Sequence, residues 1–214
     1  MKELNVIIER VHKSLETRTA ARDRALSQAR TLTRHCANAI RAIHRDEREL
    51  ALEELGTARR LAETLRSELA TFPDLYHSGY TQDALKEYAE ANIVFALITN
   101  APLPSPEELE VEYATYLQGL AEAAGELRRR CLDILRSGHS QEAERLLSCM
   151  DDIYAILVTM DYPDAITGGL RRLTDIVRGV TERTRGDMTI SLRQEQLEKS
   201  LERLENQMRM QIDD

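Results

Sequence analysis

A long segment without glycine or proline restricts what this chain can fold into. Neither residue occurs between Glu3 and Arg45, so nothing in the segment would break a helix. Its apolar side chains recur at steps of three and four positions, which is the pattern of one face of an α-helix. They are Leu4, Ile8, Val11, Leu15, Ala29, Leu32, Cys36, Ile40 and Ile43. Such a helix exceeds the usual globular length, so we expect it to lie across other helices or across another subunit.

The composition favours helices over all 214 residues. Glycine and proline number only 9 and 5, aromatic residues make up 4% and tryptophan is absent. Leucine, alanine, glutamate and arginine dominate, which leaves too few β-branched and aromatic residues for an extensive sheet. The sequence therefore predicts one all-α domain over residues 1–214.

Turn signals divide the rest of the chain into further helices. We predict them at about 46–71, 81–100, 106–136, 141–158, 164–184 and 187–210, which makes seven with the first. The sixth has a weak point at Gly168 and Gly169, and Asp187 or Thr189 starts the seventh. Ser105, Pro106 and Glu108 have the spacing of a capping box at the start of the fourth helix. The last helix carries a narrow apolar seam among many charges. This seam either packs along its own bundle or lies in part against another chain.

Charge, cysteine content and hydropathy limit which partners and which cellular compartment can be expected for the protein. The net charge of −8 argues against a nucleic-acid binder of the all-basic type, unless the charges are segregated. Cys36, Cys131 and Cys149 lack metal-ligand spacing and fall among apolar residues, which predicts free thiols in a reducing compartment. No signal peptide opens the chain, and no apolar run approaches the roughly 20 residues of a membrane span. We expect a soluble, cytoplasmic protein that makes no membrane contact.

One pair of glutamates lies where a core is expected. Glu87 and Glu90 share a helical stripe with Val94 and Leu97. The stretch 91–98 contains no charge, so half of this helix should be buried. Buried carboxylates require a cation, a metal or a proton. A core arginine paired with these acids is the alternative to a functional site.

A second pair, Glu122 and Glu126, lies one turn apart on the next long helix. Small residues stand beside it, and they let another backbone or a ligand approach; they are Gly119, Ala121 and Gly125. Two carboxylate pairs on two helices are the donors from which Mg²⁺ or Mn²⁺ sites are built. Such an ion can lower the pKa of a bound water and stabilise charge on a phosphodiester. A solvated face paired with nearby arginines remains the alternative.

Four arginines form a stripe towards the end of the first predicted helix. Arg30, Arg34, Arg41 and Arg45 occupy a sector of about 60°, away from the apolar line. No acid is interleaved on this sector, so the stripe is a candidate track for phosphate groups. An ordinary solvated face that pairs with acids of a neighbouring helix is the alternative.

His77 and Tyr80 precede the acidic helix. Imidazole and aromatic groups near carboxylates can stack on an unpaired base or hydrogen-bond to it. Packing of this loop against the rest of the protein is the alternative explanation for the presence of His77 and Tyr80. No phosphate-binding glycine loop, nucleophile elbow, zinc pattern or dinucleotide fingerprint is present.

The segment around the first acidic pair matches a known pattern. Tyr76–Ala91 contains a histidine followed by Leu-x-Glu-Tyr-x-Glu-Ala, which here spans 85–91. This run resembles the corresponding segment of translin-associated factor X, a branch of the translin family.

Two further motifs of that family are present in register. Residues 116–119 read Tyr-Leu-x-Gly and residues 125–129 read Gly-Glu-Leu-x-Arg. The first predicted helix ends in His44 and Arg45, as the family's first helix ends in His-Arg. The similarity extends over essentially the whole chain, and we expect a prokaryotic or archaeal member.

The resemblance implies a seven-helix translin-type bundle that assembles into a closed octameric shell. It also implies binding of single-stranded RNA or DNA and, in the factor X branch, metal-dependent endoribonuclease activity. That branch carries Glu-x-x-Glu on one helix and Asp-x-x-x-Glu on the next. Glu87 and Glu90 match the first pair and Glu126 the last position, whereas Glu122 stands where the family has aspartate.

The leading hypothesis is an Mg²⁺- or Mn²⁺-dependent endoribonuclease that cleaves single-stranded RNA inside a homo-oligomer. The expected metal ligands and catalytic residues are Glu87, Glu90, Glu122 and Glu126. The expected nucleic-acid contacts are Arg30, Arg34, Arg41, His44, Arg45, His77, Tyr80 and Arg129. A translin-like protein that binds RNA or single-stranded DNA without cutting it is the alternative, and a purely structural helical scaffold is the third.

Overall fold

The computed structural model describes residues 2–136, 138 and 141–212, and these residues form helices without any strand. The all-α prediction is therefore confirmed. The helices are α1 (Lys2–His44), α2 (Arg48–Leu69), α3 (Pro73–Tyr76), α4 (Gly79–Thr99), α5 (Pro106–Leu109), α6 (Tyr113–Leu135), α7 (Gln141–Leu157), α8 (Asp164–Thr167) and α9 (Leu170–Ile212). No helix in the described ranges is both long and apolar enough to cross a membrane.

The chain divides after Gly119 into two compact units. The prediction of a single domain over 1–214 stays a prediction. In the first unit α1 packs against α2 and α4. Its fully buried side chains include Leu32 and Cys36 from α1, Leu65 from α2 and Ile93 from α4. Leu32 and Cys36 lie one turn apart, so the second half of the apolar line predicted for α1 faces the core.

A break separates α5 from α6, although the sequence predicts one helix over 106–136. The predicted capping box is present, because the Ser105 side chain accepts a hydrogen bond from the Glu108 amide and the Glu108 carboxylate accepts one from Ser105. The helix ends after one turn because Glu110 adopts a left-handed backbone conformation, with φ of 53°. Arg66 holds this turn by donating hydrogen bonds to the carbonyls of Leu109 and Glu110, both at 3.2 Å.

The first turn of α6 is fixed to its neighbours in the first unit by side-chain hydrogen bonds. The Thr115 hydroxyl donates to the Gln82 side chain of α4 at 2.7 Å. The Tyr116 hydroxyl donates to the Pro104 carbonyl at 2.9 Å. These bonds anchor the start of α6 on α4, the helix that carries the first acidic pair.

The second unit contains the rest of α6 with α7, α8 and α9. Gly168 and Gly169 adopt positive φ and end α8, as the predicted weak point suggests. The predicted break at 184–187 is wrong, since α9 runs continuously from Leu170 to Ile212. Thr189, a predicted capping residue, instead donates from its hydroxyl to the Arg185 carbonyl one turn earlier.

Two helix segments expose apolar side chains. On the first half of α1, Leu4 and Leu15 are 54% and 56% exposed, and the residues between them on the same face are exposed as well. On the last part of α9, Leu197 and Leu204 are 60% and 53% exposed. The seam of α9 therefore does not pack along its own bundle in this part of the helix.

The cysteines are free thiols, as predicted. Cys36 and Cys131 are buried, whereas Cys149 is half-buried.

Candidate functional site

The first acidic pair sits on α4 at the edge of the core. Glu90 is only 8% exposed, while the Glu87 side chain is 30% exposed. The two residues offer carboxylate oxygens that lie within 4.8 Å of each other. The Lys86 ammonium lies 3.4 Å from Glu87. Two hard oxygen donors at this separation, one of them buried, fit a divalent cation such as Mg²⁺ or Mn²⁺.

Cys36 of α1 borders this pair. Burial raises the pKa of its thiol, and the negative charges of Glu87 and Glu90 raise that pKa further. The thiol therefore stays protonated and uncharged at neutral pH. The sequence assigned Cys36 to the core but gave no sign that it lies near the acids, because this proximity depends on the packing of α1 against α4.

A groove runs between α1 and α4 beside Glu87. Its volume is about 480 Å³, and α1 contributes Leu26, Ala29, Arg30 and Thr33 to its lining while α4 contributes Tyr80, Asp83, Ala84 and Glu87. The sequence predicted Arg30, Tyr80 and Glu87 as functional on three separate grounds. The structure brings these three residues to one groove, and it adds Asp83 to the wall.

The Tyr80 hydroxyl is buried and has no hydrogen-bond partner among the described residues. Buried hydroxyl groups nearly always have a partner. The Tyr80 hydroxyl is therefore an unsatisfied donor on a side chain that lines the groove.

The rest of the arginine stripe continues along α1. Arg34 and Arg45 are exposed, and Arg45 lies in the turn just after α1 ends. Across the ranges that the structure describes, Arg30, Arg34 and Arg45 have no acidic partner. Arg41 donates a short hydrogen bond to Asn38. A stripe of largely unpaired guanidinium groups is what a phosphate track requires.

The two predicted histidines lie outside the lining of the groove. His44 is buried at the last position of α1. His77 is exposed, and its ring makes an edge contact with Tyr76 at a centroid separation of 4.9 Å. Loop packing accounts for the position of His77. Contacts of these residues with nucleic acid stay predictions.

The second acidic pair lies on α6 in the second unit. Glu122 and Glu126 are both half-buried. The Arg129 guanidinium lies 3.6 Å from the Glu126 carboxylate, one turn along the helix. The salt-bridge alternative is thus observed for Glu126. Metal ligation by this pair stays a prediction.

Gly119 marks a close approach of α6 to α4 within the first unit. An ideal Cβ placed on Gly119 would lie 2.9 Å from the backbone nitrogen of Glu90. A glycine is required here, because any side chain would collide with the backbone of α4.

No protein-family model matches the sequence. An uncharacterised protein of Methanocaldococcus jannaschii, MJ0175, is 33% identical over 207 residues, which cover 96% of this chain and 90% of that protein. Among solved structures, AfC3PO crystallised alone and AfC3PO in complex with duplex RNA each match at 34% identity and a TM-score of 0.80. These matches cover 86% of this chain and 96% and 95% of the respective AfC3PO chains.

Apo-NeC3PO has the same fold, with a TM-score of 0.79 over 86% of this chain and 96% of its own, at 21% identity. The fold is therefore that of the all-α C3PO proteins, which are of the translin type. This chain belongs to the translin family, as its motifs predicted.

Proposed function

We propose that this protein is a metal-dependent endoribonuclease of the factor X branch of the translin family. The observation that carries the proposal is the groove between α1 and α4, where Arg30 and Tyr80 line the same surface as Glu87. Glu87 in turn offers a carboxylate within 4.8 Å of that of Glu90. Cation ligands and phosphate-binding groups thus adjoin each other.

Glu87 and Glu90 of α4, together with Glu122 and Glu126 of α6, would hold Mg²⁺ or Mn²⁺. When bound, the ion would act as a Lewis acid on the phosphodiester and lower the pKa of a coordinated water. The α4 pair is supported by the closeness of its two carboxylates. The α6 pair is included because it matches the second acidic pair of the family, with Glu122 in the aspartate position.

The other groups of the groove would bind and orient the RNA. Arg30 offers a guanidinium to a phosphate, since planar donors match phosphate oxygens in pairs. Tyr80 offers a ring for stacking on a base and an unused hydroxyl donor. The exposed Arg34, Arg41 and Arg45 would extend the phosphate track along α1. We also propose that Arg129, His44 and His77 contact the RNA.

The proposed substrate is single-stranded RNA, with single-stranded DNA as a possible competitor for the same surface. AfC3PO was crystallised with duplex RNA, so short duplexes belong in the same binding assay. A stripe of arginines that binds the phosphates of the RNA backbone does not distinguish between the bases. We therefore expect weak sequence preference.

The protein is further proposed to act as a homo-oligomer, an octamer as in the translin-type shell. The apolar faces of the first half of α1 and the last part of α9 support this, because both are exposed in the single chain. Rows of exposed large apolar side chains mark contact surfaces with other chains. The free thiols suit a reducing compartment, so we propose the cytoplasm as the site of action.

A second candidate is an RNA-binding protein of the same family that does not cleave. The ion pair of Glu126 with Arg129 favours it, because a carboxylate engaged by a guanidinium is a weaker metal ligand. In this second candidate the arginine stripe still binds RNA, but the glutamates have no catalytic role.

Labelled single-stranded RNA incubated with Mn²⁺, and in parallel with chelator, separates the two candidates. The enzyme hypothesis expects Mn²⁺-dependent cleavage that is lost in Glu90→Gln. Glu63→Gln is the matched control, since Glu63 is an exposed glutamate of α2 paired with Arg59 at 3.1 Å, and cleavage should persist in it. Binding without any cleavage selects the non-catalytic protein. Undiminished cleavage in Glu90→Gln would refute the site.

A further inference from the structure

The contact between α6 and α4 at Gly119 is made by backbone atoms. A Cβ on Gly119 would lie 2.9 Å from the Glu90 nitrogen and 3.0 Å from the Lys86 carbonyl oxygen. It would also lie 3.0 Å from the Cβ of Ala89, which is fully buried. Real Cβ atoms essentially never come this close to other atoms, and backbone atoms cannot swing aside as the end of a long side chain can. One added methyl group therefore has to move one helix relative to the other.

We propose that Gly119 is a positioning residue of the metal centre, because its missing side chain sets the spacing of α6 from α4 beside Glu90. This inference rests on the proposed function, since it takes Glu87 and Glu90 as metal ligands. The distances to the backbone of α4 supply the physical reason why this position has to be glycine.

The position of Gly119 against α4 makes the effect on the ligands direct. The close contacts fall on backbone atoms of Lys86 and Glu90, and Glu87 follows Lys86 directly. A shift of the α4 backbone at these atoms therefore moves the carboxylates of Glu87 and Glu90. Mg²⁺ demands near-ideal octahedral geometry with ligands at about 2.0–2.1 Å. A displacement of a few tenths of an ångström is therefore enough to weaken binding.

Helix α9 contains a matched control. Gly186 lies inside this helix, is exposed, and has nothing within 4 Å of a Cβ added to it. Alanine at either position changes the intrinsic helix preference in the same direction and by the same amount. A difference between the two variants therefore reports the contact with α4.

The test measures Mn²⁺ binding by electron paramagnetic resonance on the full-length protein, with no RNA present. Gly119→Ala should raise the Mn²⁺ dissociation constant by about tenfold or more, while Gly186→Ala leaves it unchanged. Far-UV circular dichroism establishes that both variants are folded. A purely structural role for Gly119 would lower thermal stability and leave the Mn²⁺ affinity of the folded protein as in the wild type, which would overturn the inference.

Two further measurements keep the test of Gly119 decisive. If Gly119→Ala does not fold, the double variant Gly119→Ala/Ala89→Gly removes the side-chain part of the collision and keeps the two backbone contacts. Weakened Mn²⁺ binding in that variant supports the inference, and wild-type binding overturns it. Absence of Mn²⁺ binding in the wild type refutes the proposed function itself, which is a different result from equal binding by wild type and variant.

Discussion

The guanidinium of Arg128 on α6 lies 2.8 Å from the Asp187 carboxylate on α9 and donates a 3.1 Å hydrogen bond to the Thr184 hydroxyl. Thr184 is fully buried and donates its own hydroxyl to the Val180 carbonyl at 2.8 Å. One arginine thus forms an ion pair and a hydrogen bond with two side chains in the middle of α9, at the place where the sequence suggests a helix break.

Arg128→Ala should destabilise the protein by about 1–3 kcal/mol, because it removes hydrogen bonds to a charged donor and leaves Asp187 unpaired. Arg178→Ala is the control, since Arg178 forms an exposed pair with Asp175 on the same helix at 3.4 Å. Its cost should stay below about 1 kcal/mol. Urea unfolding followed by circular dichroism measures both, and equal losses would contradict the assignment.

Arg30→Ala should weaken RNA binding for all sequences alike, because Arg30 is expected to contact phosphate. The slope of log affinity against log salt should fall by about 0.7 for single-stranded RNA. Fluorescence anisotropy across a salt series measures this slope. Arg60→Ala provides the comparison, since Arg60 is an exposed arginine of α2 that donates to Thr57, and an equal loss there would point to bulk charge.

Tyr80→Phe should leave the free protein as stable as the wild type or slightly more stable, because the hydroxyl that it removes has no partner in the described residues. RNA affinity should fall. Tyr116→Phe should do the reverse, costing about 1 kcal/mol of stability with unchanged RNA affinity, because the Tyr116 hydroxyl donates to Pro104. Urea unfolding and anisotropy, measured on both variants, test this crossed pattern.

Stability should decline between about pH 9 and pH 11 through Cys131. Burial, followed by the charge of Glu142, raises the pKa of this thiol from its ordinary value near 9 to about 11. In that window the unfolded chain has lost the proton and the folded chain keeps it, so raising the pH favours unfolding. Denaturation across this range, compared with Cys131→Ala, measures the contribution of the thiol. A pH dependence unchanged by the substitution would contradict it.

Leu201→Glu should reduce the mass of the particle in solution, because Leu201 lies on the exposed apolar seam of α9. Asn206→Glu adds the same charge about 140° from Leu201 around the helix and should leave the mass unchanged. Light scattering coupled to size-exclusion chromatography gives both masses. A wild-type protein that is already monomeric would refute the homo-oligomer altogether.

Local features of the fold could be predicted because they depend on residues close in sequence. The apolar repeat of α1, the capping box at Ser105 and the turn at Gly168 and Gly169 all appear where the sequence places them. The split between α5 and α6 could not be predicted. It depends on Arg66, more than forty residues away, which holds the left-handed turn at Glu110.

The candidate site shows the same division. Helical spacing is enough to select Glu87 and Glu90 as a pair and to select Arg30 as part of a stripe. It could not show that Arg30, Tyr80 and Glu87 line one groove, since α1 and α4 are joined only by their packing. Helical spacing also did not predict that Cys36 lies near Glu87 and Glu90.

The sequence by itself determined the helical class, the apolar faces, the paired acids and the family. These properties follow from periodicity and from short motifs, which a single helix expresses on its own. Only the tertiary structure decided that α9 is continuous, that the basic and acidic residues share a groove, and that Gly119 has to lack a side chain. Each of these depends on contacts between helices, where excluded volume and hydrogen bonding outweigh local preference.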